Sequence, residues 1–320
     1  MSVQAEVAKR VNEKLRRELG PHVLGLLQEP DVIEVMLNPD GSLWVERLGG
    51  QMARMGTMPP MQAESLMATV ATVLKTQIDA QNPILECELP LDGSRFEALL
   101  PPICQAPVFT IRKKALQVFS LDDYVGQQIM TLRQREALGE AVEARHNIAV
   151  VGGTGSGKTT LANALIREIA DRCPRDRLVV LEDTVELQPH SENVVALRTA
   201  DHVSMMRLLP RVLRLRPDRI IVGEVRDGAA LDLLKSWNTG HPGGVATIHA
   251  NSATAGLIRL EQLVAEATAA PVHHLIAEAV NLVVFIAKAP EGRRVKELLH
   301  VTGYDGQRYQ SARLEQEKSE

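Results

Sequence analysis

A chain of 320 residues, 45% hydrophobic and 24% charged, is long enough for two domains with buried cores and too apolar to remain disordered. Its net charge of -4 and aromatic share of 3% argue against a dedicated nucleic-acid binder, whose affinity comes from surplus Lys and Arg and from rings that stack on bases. The separated cysteines Cys87, Cys104 and Cys173 form no C-x-x-C pair, which speaks against a zinc site or a disulfide framework and for reduced structural thiols.

Val3, Val7, Val11, Leu15 and Leu19 recur every fourth residue and predict an amphipathic helix closed by Gly20-Pro21. Packing on its own domain is the simpler role. Lys9, Arg10, Lys14, Arg16 and Arg17 leave room for peripheral membrane contact, although Glu6, Glu13 and Glu18 dilute that charge. Two apolar runs between Asp31 and Glu46 flank Asn38-Pro39-Asp40-Gly41 and predict a β-hairpin. A helix from about Met61 to Gln77 follows, then short strands at Leu85–Leu89, Arg95–Leu100 and Val108–Arg112. These elements describe a smaller α+β domain over 1–120. A linker is expected at 121–130, beside the helix-start signal Ser120-Leu121-Asp122-Asp123.

From 131 to 320 the pattern changes to α/β. The apolar runs Ile148–Val151, Leu178–Leu181, Ile220–Val222 and Val245–Ile248 alternate with helical segments, as in a parallel sheet with crossover helices. The charged tail from Ser311 is expected to fray. No signal-peptide core and no run of ~18 apolar residues occurs, so a cytoplasmic protein without a transmembrane segment is expected.

Between the strand at Ile148 and a helix carrying Leu161, Leu165 and Ile169 lies Gly152-Gly153-Thr154-Gly155-Ser156-Gly157-Lys158-Thr159-Thr160. Strand, glycine-rich turn and helix in this order form a phosphate-binding loop. Glycines let successive N–H groups face phosphate oxygens at the positive end of a helix. Gly153 through Thr160 therefore bind ATP, Lys158 reaches the β- and γ-phosphates, and the Thr159 hydroxyl faces Mg2+. Ile220-Ile221-Val222-Gly223-Glu224 ends a strand in a carboxylate placed to orient water or to hold the metal, through water if not directly. Leu181-Glu182-Asp183-Thr184-Val185-Glu186 ends a second strand in the same manner. Glu182 or Glu186 could share that work, with helix capping by Asp183 or Thr184 as the ordinary alternative. Arg207, Arg211 and Arg214 share one helical face, for which solvent or a subunit contact is expected.

The phosphate loop, the acidic box at Leu181–Glu186, Gly223-Glu224-Val225-Arg226, and Gly240-His241 through Thr247-Ile248-His249-Ala250-Asn251 occur in one order. That order resembles the traffic ATPases of bacterial secretion and conjugation, and within them the type IV secretion and conjugal-transfer branch. It covers most of the chain from Leu85 to about Ala289. The resemblance implies a RecA-like P-loop ATPase domain behind a smaller N-terminal domain, ATP bound between them, and a homohexameric ring. It further implies inner-membrane partners in the secretion machine and a place at the cytoplasmic face of the inner membrane. By the same resemblance His249 senses the γ-phosphate, and Arg95 and Arg112 approach the nucleotide. Taken alone, a strand-end salt bridge would account for each arginine and a structural hydrogen bond for the histidine. A type IV pilus or type II secretion motor, a RecA-like DNA translocase and a scaffold that binds ATP without turnover are the alternatives. The cysteine count disfavours the four-cysteine zinc element common in extension and type II motors, and sequence-specific nucleic-acid binding is not expected.

Overall fold

A computed structural model describes residues 3–47, 52–114, 118–200 and 202–314 and divides into two compact units, Met1–Leu116 and Gln117–Glu320. In the first unit, α1 (Val3–Gln28) does not end at Gly20-Pro21 but bends there. Gly20 adopts φ 76°, ψ 161°, and Pro21, which has no N–H to leave unpaired, starts the second segment. Leu15, Leu19, Val23 and Leu26 are buried on its inner face; the side chains of Val3 and Val7 lie outside the described residues. The hairpin forms as expected from β1 (Val32–Leu37) and β2 (Ser42–Arg47). Asp40 accepts from the Ser42 N–H at 2.9 Å, and Gly41 turns at φ 77°.

β3 (Ala53–Thr57) adds an outer strand, and α2 (Pro60–Val73) stops before the expected Gln77, where Lys75 turns left-handed at φ 58°. β4 (Ile84–Glu88), β5 (Arg95–Leu99) and β6 (Val108–Arg112) complete an antiparallel sheet of order β3-β2-β1-β6-β5-β4. Alternation sorts its two faces. Phe96, Ile111, Val35 and Val45 lie side by side in a core shared with α1 and α2. On the other parity Glu88, Arg95, Arg112, Glu34 and Glu46 form a charged row across five strands.

Residues 121–130, expected as a linker, instead carry α3 (Leu121–Gly126). A reciprocal Ser120–Asp123 capping box starts it, and Leu121 and Tyr124 are buried in the second unit. The second sheet runs β14-β13-β12-β7-β11-β10-β8-β9. β7 (Ile148–Gly152), β8 (Leu178–Glu182), β9 (Val194–Arg198), β10 (Arg219–Val222), β11 (Val245–His249) and the start of β12 (Leu282–Ala289) are parallel. β13 (Gly292–Tyr304) and β14 (Tyr309–Arg313) fold back antiparallel, so Ser311–Arg313 belongs to a strand rather than a frayed tail. Every residue of β7, β8 and β10 is buried, which is why these strands read as unbroken apolar runs.

Ala149 and Val151 pack with α6 (Met205–Val212), α7 (Ala229–Asn238), α8 (Ala253–Ala265) and α9 (His273–Ala279). Ile148 and Val150 pack with α3, α4 (Leu132–Glu143) and α5 (Lys158–Arg172) on the other face. Beneath the amino ends of the strands lies a buried polar network. Arg219 Nε donates to Asp176 at 2.6 Å, and its other nitrogens reach the Gly243 and Val142 carbonyls at 3.1 and 3.0 Å.

Candidate active site

β7 ends at Gly152, where a Cβ would lie 2.4 Å from both the Ile286 carbonyl oxygen and Ser156 Oγ. Only glycine lets the chain turn this close to β12. Gly155 and Gly157 take φ of 66° and 98°, the region glycine enters without strain. Gly157 precedes α5, so Lys158, Thr159 and Thr160 occupy its first turn, where unpaired N–H groups and the positive dipole end favour an anion. Ser156 Oγ is buried with no partner among the described residues, a donor that a phosphate oxygen would satisfy.

Chain order does not bring the remaining residues to this loop; strand order does. Across the carboxyl edge β7, β11, β10 and β8 are successive neighbours. They carry the phosphate loop, His249, Gly223-Glu224 and Glu182 respectively. Lys158 is only 8% exposed and donates to the Gly153 carbonyl at 3.1 Å. Its Nζ lies 3.5 Å from His249 Nδ1 and 3.4 Å from Nε2. His249 Nε2 lies 2.9 Å from Glu224 Oε1, and Glu224 Oε2 accepts from Arg226 Nε and Nη2 at 2.8 and 2.5 Å. The chain Lys158–His249–Glu224–Arg226 thus joins the loop to the strand-end carboxylate. Burial, and then the Lys158 charge, hold His249 below its ordinary value of 6.5 against the pull of Glu224, so the imidazole is neutral at pH 7. Burial is the largest single influence on Arg226 and opposes its charge, but the Glu224 hydrogen bond together with the charges of Glu224, Asp183 and Glu186 outweighs it and raises its pKa.

The acidic box is arranged differently. Glu182, 5% exposed, accepts the backbone N–H groups of Glu186 and Leu187 at 3.0 and 2.7 Å through Oε1. Its side chain crosses Gly223, where a Cβ would come within 3.0 Å of its Cγ. No helix begins at Asp183 or Thr184, so the capping role foreseen for them does not arise; Asp183 accepts from Thr199 Oγ1 at 3.0 Å. Glu186 follows on an irregular loop, half-buried.

Arg95 and Arg112 lie in the first unit, directly opposite each other on β5 and β6. Arg95 Nη2 is 2.6 Å from Glu86, and Arg112 Nε is 3.3 Å from Glu34. Arg207, Arg211 and Arg214 on α6 and the turn after it are largely exposed. Sequence reasoning gave no part to Arg226, although it stands in the quoted strand-end box. Arg293 was also missed; it reaches the Gly155 carbonyl with Nε and Nη2, each at 3.4 Å, from β13. No local motif marks Arg293, since only the return of β13 beside β12 carries it to the loop.

The family model described as "Type II/IV secretion system protein" matches residues 24–309. The chain is 53% identical over 302 residues to the conjugal transfer protein TrbB of Rhizobium radiobacter, covering 94% of each. It is 34% identical over 266 residues to the type IV secretion system protein PtlH of Bordetella pertussis, covering 73% of this chain and 77% of that one. Among solved structures, the Yersinia pseudotuberculosis ATPase DotB shares the fold with a TM-score of 0.63, at 17% identity, over 94% of this chain and 80% of that one.

Proposed function

The chain belongs to the type II/IV secretion system protein family, and from there we propose that it is the ATP-hydrolysing motor of a conjugative type IV secretion apparatus. The observation that carries this reading is the contact chain from Lys158 through His249 to Glu224 beside a glycine loop shaped for phosphate. We further propose a homohexameric ring at the cytoplasmic face of the inner membrane, in contact with inner-membrane components of the apparatus. No helix among the described residues is long and apolar enough to cross a membrane, so attachment would be peripheral.

The reaction is attack of water on the γ-phosphorus of ATP, with the bond to the β-phosphate bridging oxygen breaking to leave ADP and phosphate. The loop N–H groups and Lys158 hold the β- and γ-phosphates, and Lys158 exchanges its contact with the Gly153 carbonyl for phosphate oxygen. Thr159 and Glu224 are the residues that would hold Mg2+, Glu224 directly or through water, and a metal bound there would neutralise charge developing on the phosphates. Glu224 orients the attacking water, and the two hydrogen bonds from Arg226 hold that carboxylate in place. Neutral His249 touches both Lys158 and Glu224, which suits it to report whether a γ-phosphate lies between them. Glu182 builds the loop that brings Glu186 up to the site. By the family resemblance Arg95 and Arg112 are proposed to supply further positive charge to the transferred group, exchanging their contacts with Glu86 and Glu34 for it.

Lys158→Ala should abolish binding of a fluorescent ATP analogue with an unchanged circular dichroism spectrum. Glu224→Gln should bind near normally yet lose roughly 100-fold or more in turnover. Sedimentation should show a ring. Wild-type turnover in either variant, or a fully active monomer, would overturn the corresponding part. A pilus or type II secretion motor is the second reading, favoured by the breadth of the family description. The 53% identity to a conjugal transfer protein argues for the first, and complementation of a conjugation-deficient strain separates the two.

A further inference from the structure

The loop 183–188, which carries Glu186, has no regular secondary structure, yet three side chains fasten it. Glu182 binds its backbone from the sheet side. Leu187 is buried in the cluster that holds Leu161 and Leu165 of α5. The third is Asn163, four residues beyond Thr159 and therefore on the same face of α5, about 6 Å further along its axis. Asn163 is 2% exposed, and a buried amide is costly unless its hydrogen bonds are made. Both of its polar atoms are engaged by this one loop: Nδ2 donates to the Glu186 carbonyl at 3.1 Å, and Oδ1 accepts from the Gln188 N–H at 2.7 Å.

We propose that Asn163 is a positioning residue that makes the phosphate-binding helix and the acidic loop one mechanical unit, so that occupancy of the phosphate loop sets the place of Glu186. This rests on the nucleotide-motor reading. The first turn of α5 takes the load when phosphate settles on its N–H groups, and a rigid helix passes any shift or stiffening on to residue 163. The two bonds of Asn163 deliver it to the backbone on either side of Leu187. Glu186 thereby responds to nucleotide without touching it.

Hydrogen exchange of the full-length protein, with and without ADP, tests the coupling. In the wild type, ADP should slow exchange of the amides at 186–188 by about tenfold, on the order expected when one hydrogen bond is stabilised. Asn163→Ala keeps Glu182 and Leu187 in place. It should bind ADP within about threefold of the wild type, lose the ADP-dependent slowing, and show kcat lowered about tenfold with KM little changed. Asn163→Asp retains the acceptor for Gln188 but sets a carboxylate against the Glu186 carbonyl. It should keep slowing at Gln188 and lose part of kcat, and it decides the matter alone if the alanine variant does not fold. Undiminished ADP-dependent slowing at 186–188 in Asn163→Ala, or at 186 and 187 in Asn163→Asp, or loss of ADP affinity and melting temperature together without a selective fall in kcat, would overturn the proposal. Failure of the wild type to bind ADP would overturn the underlying nucleotide reading, and this inference with it.

Discussion

Replacing Asp176 with asparagine removes the charge that faces Arg219 while nearly keeping the shape. Arg219 is 0% exposed. An asparagine oxygen can still accept from Nε, but no negative charge then faces the guanidinium, whose other partners, the Gly243 and Val142 carbonyls and the Cys173 sulfur 3.1 Å from Nη2, are neutral. Leaving a buried guanidinium uncompensated costs about 3–5 kcal/mol. Arg145, which meets the same carboxylate at 2.6 Å from a more exposed position, adds at most about 1 kcal/mol. With a urea dependence of roughly 2 kcal/mol per molar, the midpoint for the second unit should fall by about 1.5–3 M. The two tryptophans make that unit separately observable, since Trp44 lies in the first and Trp237 in the second. In a Trp44→Phe background, fluorescence then follows Trp237, whose indole N–H is bonded to the Ile220 carbonyl at 3.2 Å. The double variant Asp176→Leu/Arg219→Met should recover most of the loss, because both charges leave together. Below its transition Asp176→Asn should hydrolyse ATP near normally, as Arg219 opens β10, a strand about 13 Å long, and Glu224 lies two residues beyond its other end. A midpoint within about 0.3 M of the wild type, or a double variant no better than the single, would refute the charge-compensation account.

Gly152→Ala should lower nucleotide affinity at least about tenfold, because overpacking of about 1–3 kcal/mol must be relieved by moving the phosphate loop or β12. A fluorescent-nucleotide titration reads this, and unchanged affinity would show that the loop's path does not depend on the close approach to the Ile286 carbonyl. His146 supplies a pH dependence: burial, and then its neighbour His300, hold its pKa below 6.5, with the rings 5.6 Å apart. The unfolded chain therefore binds more protons as pH falls below about 6.5, and the stability contributed by neutral His146 is lost from there downward. His146→Gln should flatten the fall in melting temperature between pH 7 and pH 5, and an identical slope would contradict the assignment.

What could be read from the residues is what local physics determines. The phosphate loop was legible because its glycines, lysine and threonines all act within one strand–turn–helix unit. β7, β8, β10 and β11 were legible because complete burial leaves no polar position to interrupt them. β3 was not, since Ala-Arg-Met-Gly-Thr lacks both alternation and β-branched weight and forms by pairing with β2. The helix at 121–126 looked like linker because only Leu121 and Tyr124 of its short length are buried. In the site, Glu182 and Glu224 were indistinguishable in sequence, each closing an apolar strand. The fold separates them, turning Glu182 toward its own loop and Glu224 toward His249. Asn163 gave no signal, since a mid-helix asparagine is ordinarily a solvated residue and its burial depends on where the acidic loop lands.

The second sheet ends in β9 on one side and β14 on the other, each of five residues. Both margins are short, about 17 Å of open backbone, and each terminates in an arginine, Arg198 and Arg313. β14 is mostly exposed and carries Gln310 and Ser311, residues with little tendency to zip onto a foreign strand. Lateral growth of the sheet, the route by which open edges recruit other chains into β-rich aggregates, is therefore poorly supported. Association that leaves this second sheet as it is can come apart again without unthreading a shared strand.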